Sequence, residues 1–253
     1  MSVLAVIPAR YGSTRFPGKP LAMLHGKPMI QQVYEQVAKA KRVDEVIVAT
    51  DDDRIIEAIE RAGGTALLTS ATVRSGTERA AEVARARNAQ IIINVQGDEP
   101  LIHPDMVDQL AEFLQSHTAV PMASLMTPVR DEKDLANPNV VKVVVDRDGF
   151  ALYFSRAPIP FERANAPTRQ RANVFKHIGI YGYQRHFLLQ FPSLEPTPLE
   201  QSEQLEQLRA LEHGYKIKLL ETVHDSIGVD TPGDLARVET LMAKSSGKLK
   251  VES

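Results

Sequence analysis

Two hydrophobic periodicities take turns through the first half of the chain. Val3 to Ile7 is a continuous apolar run, the pattern of a strand buried on both faces. Met29, Ile30, Val33 and Val37 fall on one helical stripe, with Pro28 suited to its first turn. Glu45 to Thr50 predicts a second strand, ending at Asp51. Ile55, Ile56 and Ile59 mark a helix that stops at Gly63-Gly64, and Thr65 to Thr69 is a third strand. Ser75-Gly-Thr-Glu-Arg79 leads into a helix through about Arg87. Gln90 to Val95 is a fourth strand, with Gln96-Gly-Asp-Glu-Pro100 directly behind it. This alternation means βαβ units and a parallel sheet. The loops at 8–20, 50–53, 70–79 and 96–100 all follow strands, so they gather at the carboxyl edge of the sheet, where open α/β sheets bind ligands.

The second half is less regular. Val140 to Asp146 and Phe150 to Arg156 read as strands joined by a tight turn at Asp146-Arg-Asp-Gly149. A Pro-, Arg- and Asn-containing loop follows from Pro158 to about Asn173, then a strand from Lys176 to Tyr183. Nine of the fourteen Phe and Tyr residues lie between 150 and 191, which suggests a sugar pocket or an inter-subunit surface. Leu199 to about His213 reads as one helix and Lys216 to Thr222 as a strand. Gly228-Val-Asp-Thr-Pro232 opens a last helix ending near Ala243, and the polar tail Lys244–Ser253 reads as frayed.

Composition narrows the function more than the fold. The 253 residues suit one large α/β domain or two small ones. A net charge of −2 and a pI near 6.4 argue against nucleic acid or an anionic membrane as a general partner. The chain has no cysteine, which rules out thiolate catalysis and disulfides. Its first residues lack a basic n-region, and the apolar run is too short for a signal peptide or a span, so a cytoplasmic protein is expected.

Charge is concentrated in one loop. Arg10, Arg15 and Lys19 stand within ten residues, separated by Gly12, Ser13, Pro17 and Gly18. Such cations repel one another unless an anion sits among them, and glycines let the backbone approach it; a polyphosphate fits. A solvated basic loop is the bland alternative. The spacing is not a Walker loop: five residues separate Gly12 from Gly18, and Pro20 follows Lys19. No GxGxxG is present either, which disfavours a dinucleotide oxidoreductase.

Three further groups carry candidate chemistry. Asp98, just past a buried strand, can hold a hard cation such as Mg²⁺, or can simply stabilise its turn. Asp230 can do the same or start the last helix. In His177-Ile-Gly-Ile-Tyr-Gly-Tyr183, a period of two puts His177, Gly179, Tyr181 and Tyr183 on one face, with a gap at Gly179 as a sugar site needs. A plain edge strand explains that pattern equally well. Phe150, Leu152, Phe154 and Arg156 share a face, and Arg156 can fork onto a carboxylate. Glu203, Glu206 and Gln207 read as a solvated helix face.

Taken together, Ile7-Pro-Ala-Arg-Tyr-Gly-Ser-Thr-Arg-Phe-Pro-Gly-Lys-Pro20, Ser75-Gly-Thr-Glu-Arg79, Asn94-Val-Gln-Gly-Asp-Glu-Pro100, His177-Ile-Gly-Ile-Tyr-Gly-Tyr183 and Gly228-Val-Asp-Thr-Pro232 are specific. In this order they resemble the 3-deoxy-manno-octulosonate cytidylyltransferase family (CMP-Kdo synthetases), over all but the last ten or so residues. The resemblance implies a single Rossmann-like nucleotidyltransferase domain with a mostly parallel central sheet. It also implies a smaller embedded β-rich region, at about 130–190, for sugar binding and dimerisation. The implied reaction is CTP plus Kdo to CMP-Kdo plus pyrophosphate, with Mg²⁺, in a homodimer. Arg10, Ser13, Arg15 and Lys19 would hold the triphosphate, with Arg15 and Lys19 steadying the leaving pyrophosphate. Ser75, Gly76, Thr77 and Arg79 would frame cytosine and ribose. Asp98 and Asp230 would ligate the metal, and Gln96, Arg156, His177, Tyr181, Glu206 and Gln207 would line the Kdo site. The acceptor could also be another acidic sugar, an 8-amino Kdo analogue or a sialic acid, though the Ser75 and His177 motifs favour Kdo. Gly233, where relatives often carry Glu, departs from the pattern in the first turn of the last helix.

Overall fold

Strand β1 (Val3–Ala9) shows why an unbroken apolar run belongs in the middle of this molecule. Val3, Ala5 and Ile7 pack into one hydrophobic layer and Leu4 and Val6 into the other, so both faces are covered. The structure is a computed structural model describing residues 1–12, 16–73, 75–161 and 174–249, without the side chains of 244–249. Ser13 and Arg15, most of the loop expected at 158–173 and the last four residues of the tail lie outside the described residues.

After β1 come a small hairpin, β2 (Met23–Leu24) and β3 (Lys27–Pro28), and helix α1 (Met29–Val37), with Pro28 as its N-cap residue. Then follow β4 (Glu45–Thr50), α2 (Asp53–Arg61), β5 (Thr65–Leu68), α3 (Gly76–Arg85) and β6 (Ile91–Asn94). Local chemistry fixes the helix ends. The Asp52 carboxylate accepts from the Arg54 amide and Ser75 Oγ from the Glu78 amide, each cap worth about 1 kcal/mol.

The remaining elements are α4 (Pro104–Ser116), β7 (Met122–Pro128), α5 (Glu132–Ala136), β8 (Lys142–Val145), β9 (Ala151–Ser155) and β10 (Phe175–Gln184). They end with α6 (Arg185–Gln190), α7 (Pro198–Glu203), α8 (Gln207–Glu212), β11 (Ile217–Glu221) and α9 (Pro232–Leu249).

The main path of the sheet runs β11-β7-β10-β6-β1-β4-β5. β1 pairs in parallel with both β4 and β6, β4 with β5 and β7 with β11; β10 runs antiparallel between β6 and β7. The chain builds outward from β1 through β4 and β5, then returns to β1's other side with β6. That reversal places a switch point between β1 and β6, where the carboxyl ends of the strands open a crevice. Residues of α1, α2 and α4 join one hydrophobic layer and those of α3, α6 and α8 the other. No helix among the described residues is long and apolar enough to cross a membrane.

Three elements differ from the sequence reading. The helix expected over Leu199 to about His213 is two short helices, parted where Gln204 takes a left-handed backbone (φ 54°) and Leu205 turns into the core. The last helix runs on to Leu249 instead of ending near Ala243, since neither a proline nor a capping turn interrupts it. Part of the aromatic cluster is core: Phe154, Tyr183, Phe187 and Phe191 are no more than 1% exposed, whereas Phe161 is 86% exposed.

Candidate active site

The crevice at the switch point is a cleft of about 390 Å³. Pro8, Ala9, Arg10, Gly12 and Lys19 line one side, and Gln96, Gly97 and Asp98 the other. Ser75, Gly76 and Arg79 close one end, and Asp230 reaches in from the start of α9. Gly97 is needed for the two strand ends to meet, because a Cβ there would stand 2.6 Å from the Pro8 carbonyl oxygen.

Two carboxylates from distant parts of the chain converge on one cation. Lys19 Nζ donates to Asp98 Oδ2 at 2.7 Å and to Asp230 Oδ1 at 3.2 Å, with the lysine side chain only 14% exposed. The Val229 amide donates to the Asp98 carbonyl at 2.9 Å, which ties the two loops together. Asp230 is not the helix cap. That work falls to Thr231, whose hydroxyl accepts from the Asp234 amide while Asp234 Oδ2 accepts from the Thr231 amide and hydroxyl. The Asp230 carboxylate is thereby left to face the cleft.

A second, more enclosed set of residues lies behind α3 and β10. Thr77 Oγ1 donates to Glu206 Oε2 at 2.6 Å, joining the start of α3 to the break between α7 and α8. Glu206 and Gln207, expected on a solvated face, point inward: Gln207 is 3% exposed, and burial raises the Glu206 pKa. Glu206 Oε1, Gln207 Nε2 and both polar atoms of the Asn94 side chain are buried with no hydrogen-bond partner among the described residues. Unpaired buried polar atoms are costly, and a polar ligand would satisfy them. Gln96 links the two regions, since Cβ atoms at Gly76 and Gly179 would each meet its side chain at 3.8 Å.

His177, Tyr181 and Tyr183 do share a face. The His177–Tyr181 and Tyr181–Tyr183 ring centroids are 5.3 and 6.2 Å apart, although the pairing register of β10 with β7 shifts between Ile178 and Tyr181. Ser124 of β7 fills that irregularity. Its single hydroxyl proton is claimed by the carbonyls of Ile180 (2.7 Å) and Ile178 (3.2 Å), so His177 Nε2, 2.8 Å away, must be the protonated nitrogen and donate to Ser124 Oγ. Burial pushes the His177 pKa from 6.5 down to about 3, so the ring is neutral and, with Nε2 protonated, leaves Nδ1 as an acceptor. A depressed folded-state value gives a signed expectation. Below pH 6.5 the unfolded chain takes a proton that the folded one refuses, so this group's stabilising contribution is complete above 6.5 and lost as pH falls toward 3. Urea unfolding of His177→Gln beside the unaltered chain should show a stability difference that shrinks across that window; a pH-independent difference would contradict it.

Three of the expected site residues make protein contacts that the sequence does not announce. Arg156 does not offer its fork to the cleft. Its Nε, Nη1 and Nη2 donate to the carbonyls of Glu203, Pro138 and Gln204 at 2.7, 3.0 and 3.3 Å, and so hold the turn that presents Glu206. Buried Lys142 supports the same corner, donating to the carbonyls of Asn137, Val140 and Arg156. Arg79 borders the cleft, but its guanidinium is spent on the Asp51 carboxylate at 2.9 Å and the Thr69 hydroxyl. Ser75 caps α3 with its hydroxyl and also borders the cleft.

Glu99 was missed by sequence reasoning, although it stands beside Asp98. Its Oε1 occupies the space that a Cβ at Gly179 would need, 3.2 Å away, and its buried Oε2 has no hydrogen-bond partner among the described residues. Burial first, then the charge of Asp98, lifts its pKa to about 7.

The family model for cytidylyltransferases matches residues 4–217. A 3-deoxy-manno-octulosonate cytidylyltransferase from Geobacter sulfurreducens is 52% identical over 245 residues, covering 94% of this chain and 98% of the relative. Its counterpart from Trichlorobacter lovleyi is 52% identical over 249 residues, covering 96% and 99%. Among solved structures, CMP:2-keto-3-deoxy-manno-octonic acid synthetase complexed with CTP is similar, with a TM-score of 0.91 and 44% identity, over 97% of this chain and 100% of that one.

Proposed function

The chain belongs to the 3-deoxy-manno-octulosonate cytidylyltransferase family, and from that membership we infer that it converts CTP and Kdo to CMP-Kdo and pyrophosphate. The observation that carries this reading in the chain itself is the convergence of Asp98 and Asp230 on one cation at the β1–β6 switch point.

The same pair fits a divalent metal, in keeping with the family, and we propose Mg²⁺. Mg²⁺ is commonly bound by one or two carboxylates together with substrate phosphate oxygens, and the Lys19 ammonium already marks a cation position between them. When bound, the ion lowers the pKa of the acceptor hydroxyl and neutralises phosphate charge.

The chain's own residues supply the rest. Arg10 and Lys19, with Ser13 and Arg15 of the same loop, hold the triphosphate and stabilise the departing pyrophosphate. The start of α3, from Ser75 to Thr77, frames the nucleoside. The Kdo side takes Gln96, Tyr181, Glu206 and Gln207, whose buried polar atoms find partners on the sugar. His177, being neutral, accepts a hydrogen bond from a sugar hydroxyl at Nδ1, and Arg156 keeps the 203–206 turn in place. The anomeric hydroxyl attacks the α-phosphorus in line; positioning and charge stabilisation suffice, without a covalent intermediate. Phosphorus-31 NMR of a mixture of enzyme, CTP and Kdo should show one phosphodiester product and pyrophosphate in equal amounts. Release of inorganic phosphate instead would overturn the reaction type.

We also propose a cytoplasmic homodimer, with the embedded region at about 130–190 contributing to both interface and sugar pocket. Leu152 and Phe161, 62% and 86% exposed, give that region apolar surface to cover. Light scattering should give twice the chain mass at micromolar concentration, and Phe161→Glu should shift it toward monomer. A fully active monomer would count against the interface.

A further inference from the structure

A second group of candidate metal ligands lies outside the cleft, where His103, Asp105 and His224 meet at the start of α4. Asp105 Oδ2 lies 3.5 Å from His103 Nδ1 and 3.4 Å from His224 Nε2. A tetrahedral ion with bonds of about 2.0–2.1 Å has ligands about 3.3–3.4 Å apart, so two edges of the ligand triangle already have nearly that length. One ligating atom from each residue falls within 4.8 Å of the other two.

The imidazoles are stacked, with centroids 3.7 Å apart and planes 8° from parallel. In-plane coordination requires them to turn toward Asp105, and an ion on His103 Nδ1 would take the place of the Asp105 amide, which donates to that nitrogen at 3.3 Å; exposed side chains make such turns on fast timescales. The three side chains are 45%, 67% and 30% exposed, so water can complete the coordination. The donor set decides the cation. Two imidazoles and one carboxylate suit zinc and its transition-metal neighbours, whereas Mg²⁺ and Ca²⁺ prefer oxygen throughout.

We propose that His103, Asp105 and His224 form a site for one zinc-type divalent cation, separate from the Asp98–Asp230 pair, that fastens the segment after β11 to the start of α4. The two segments are those that lead to Asp230 and from Asp98, so an ion here braces the frame that holds both carboxylates.

The test is calorimetric titration of the untagged chain with Zn²⁺ in excess Mg²⁺, which occupies oxygen sites and leaves imidazoles open. One Zn²⁺ per chain is expected. Replacing a carboxylate or carbonyl that merely orients a ligand costs 10–100-fold in affinity, so losing a ligand should cost at least about 10²-fold. His224→Ala should show that loss, and so should His103→Asn, which keeps a capping side chain on α4. Zn²⁺ should raise the unfolding temperature of the unaltered chain and of neither variant. No Zn²⁺ uptake by the unaltered chain, or equal uptake by the variants, would overturn the proposal.

Discussion

Asp98→Asn should lower turnover about 10³-fold and leave CTP binding almost unchanged. The carboxylate sits just beyond β6, a strand whose four residues are all buried, so a rigid element fixes its position. The amide that replaces it is nearly isosteric but carries no charge for a hard divalent cation. Loss of about 4 kcal/mol of charge stabilisation at the reacting phosphate corresponds to about 10³ in rate. The basic loop still grips the phosphates, so calorimetry should report CTP affinity within a few-fold of the unaltered chain. Normal turnover with Mg²⁺ would remove Asp98 from the metal's coordination.

Lys19→Ala should have the second-largest effect, about 10²-fold in rate, comparable to deleting one preorganised donor at a developing charge. Its signature differs from that of Asp98→Asn. The Lys19 ammonium lies between Asp98 and Asp230, where the metal is proposed to sit, so its removal leaves two carboxylates facing each other. Metal affinity measured without nucleotide should therefore hold or rise while the rate falls. A parallel loss of both would mean that Lys19 organises the carboxylates and has no part in holding phosphate.

The sequence made the first half of the fold legible because its signals are local. β1 and β6 are apolar runs buried on both faces, and the caps Asp52 and Ser75 sit where side-chain chemistry puts them. Even the crevice could be placed, since loops that follow parallel strands share one edge. The enclosed polar region was less legible. Gln204 adopts a left-handed conformation without glycine or asparagine to announce it, so one helix was expected and Glu206 was put in solvent. The resemblance implies a place for Glu206 and Gln207 in the Kdo site; the structure shows the pair buried, which periodicity alone hides. The contacts of Arg156 are hidden for a related reason: its donors go to backbone carbonyls of a turn that periodicity does not announce. Glu99 was hidden by its neighbour, because a turn after a buried strand offers a carboxylate at either position and only the fold shows Asp98 facing the cleft while Glu99 fills the gap at Gly179.

One cleft is proposed to couple a cytidine triphosphate to an eight-carbon acidic sugar. Pyrophosphate release from CTP, UTP, ATP and GTP, each with Kdo, with sialic acid and with no acceptor, tests it most directly. Rapid release is expected from CTP with Kdo, with release at least about 10²-fold slower for the other nucleotides and almost none without acceptor. Equal release from ATP, or release from CTP that does not depend on Kdo, would contradict it.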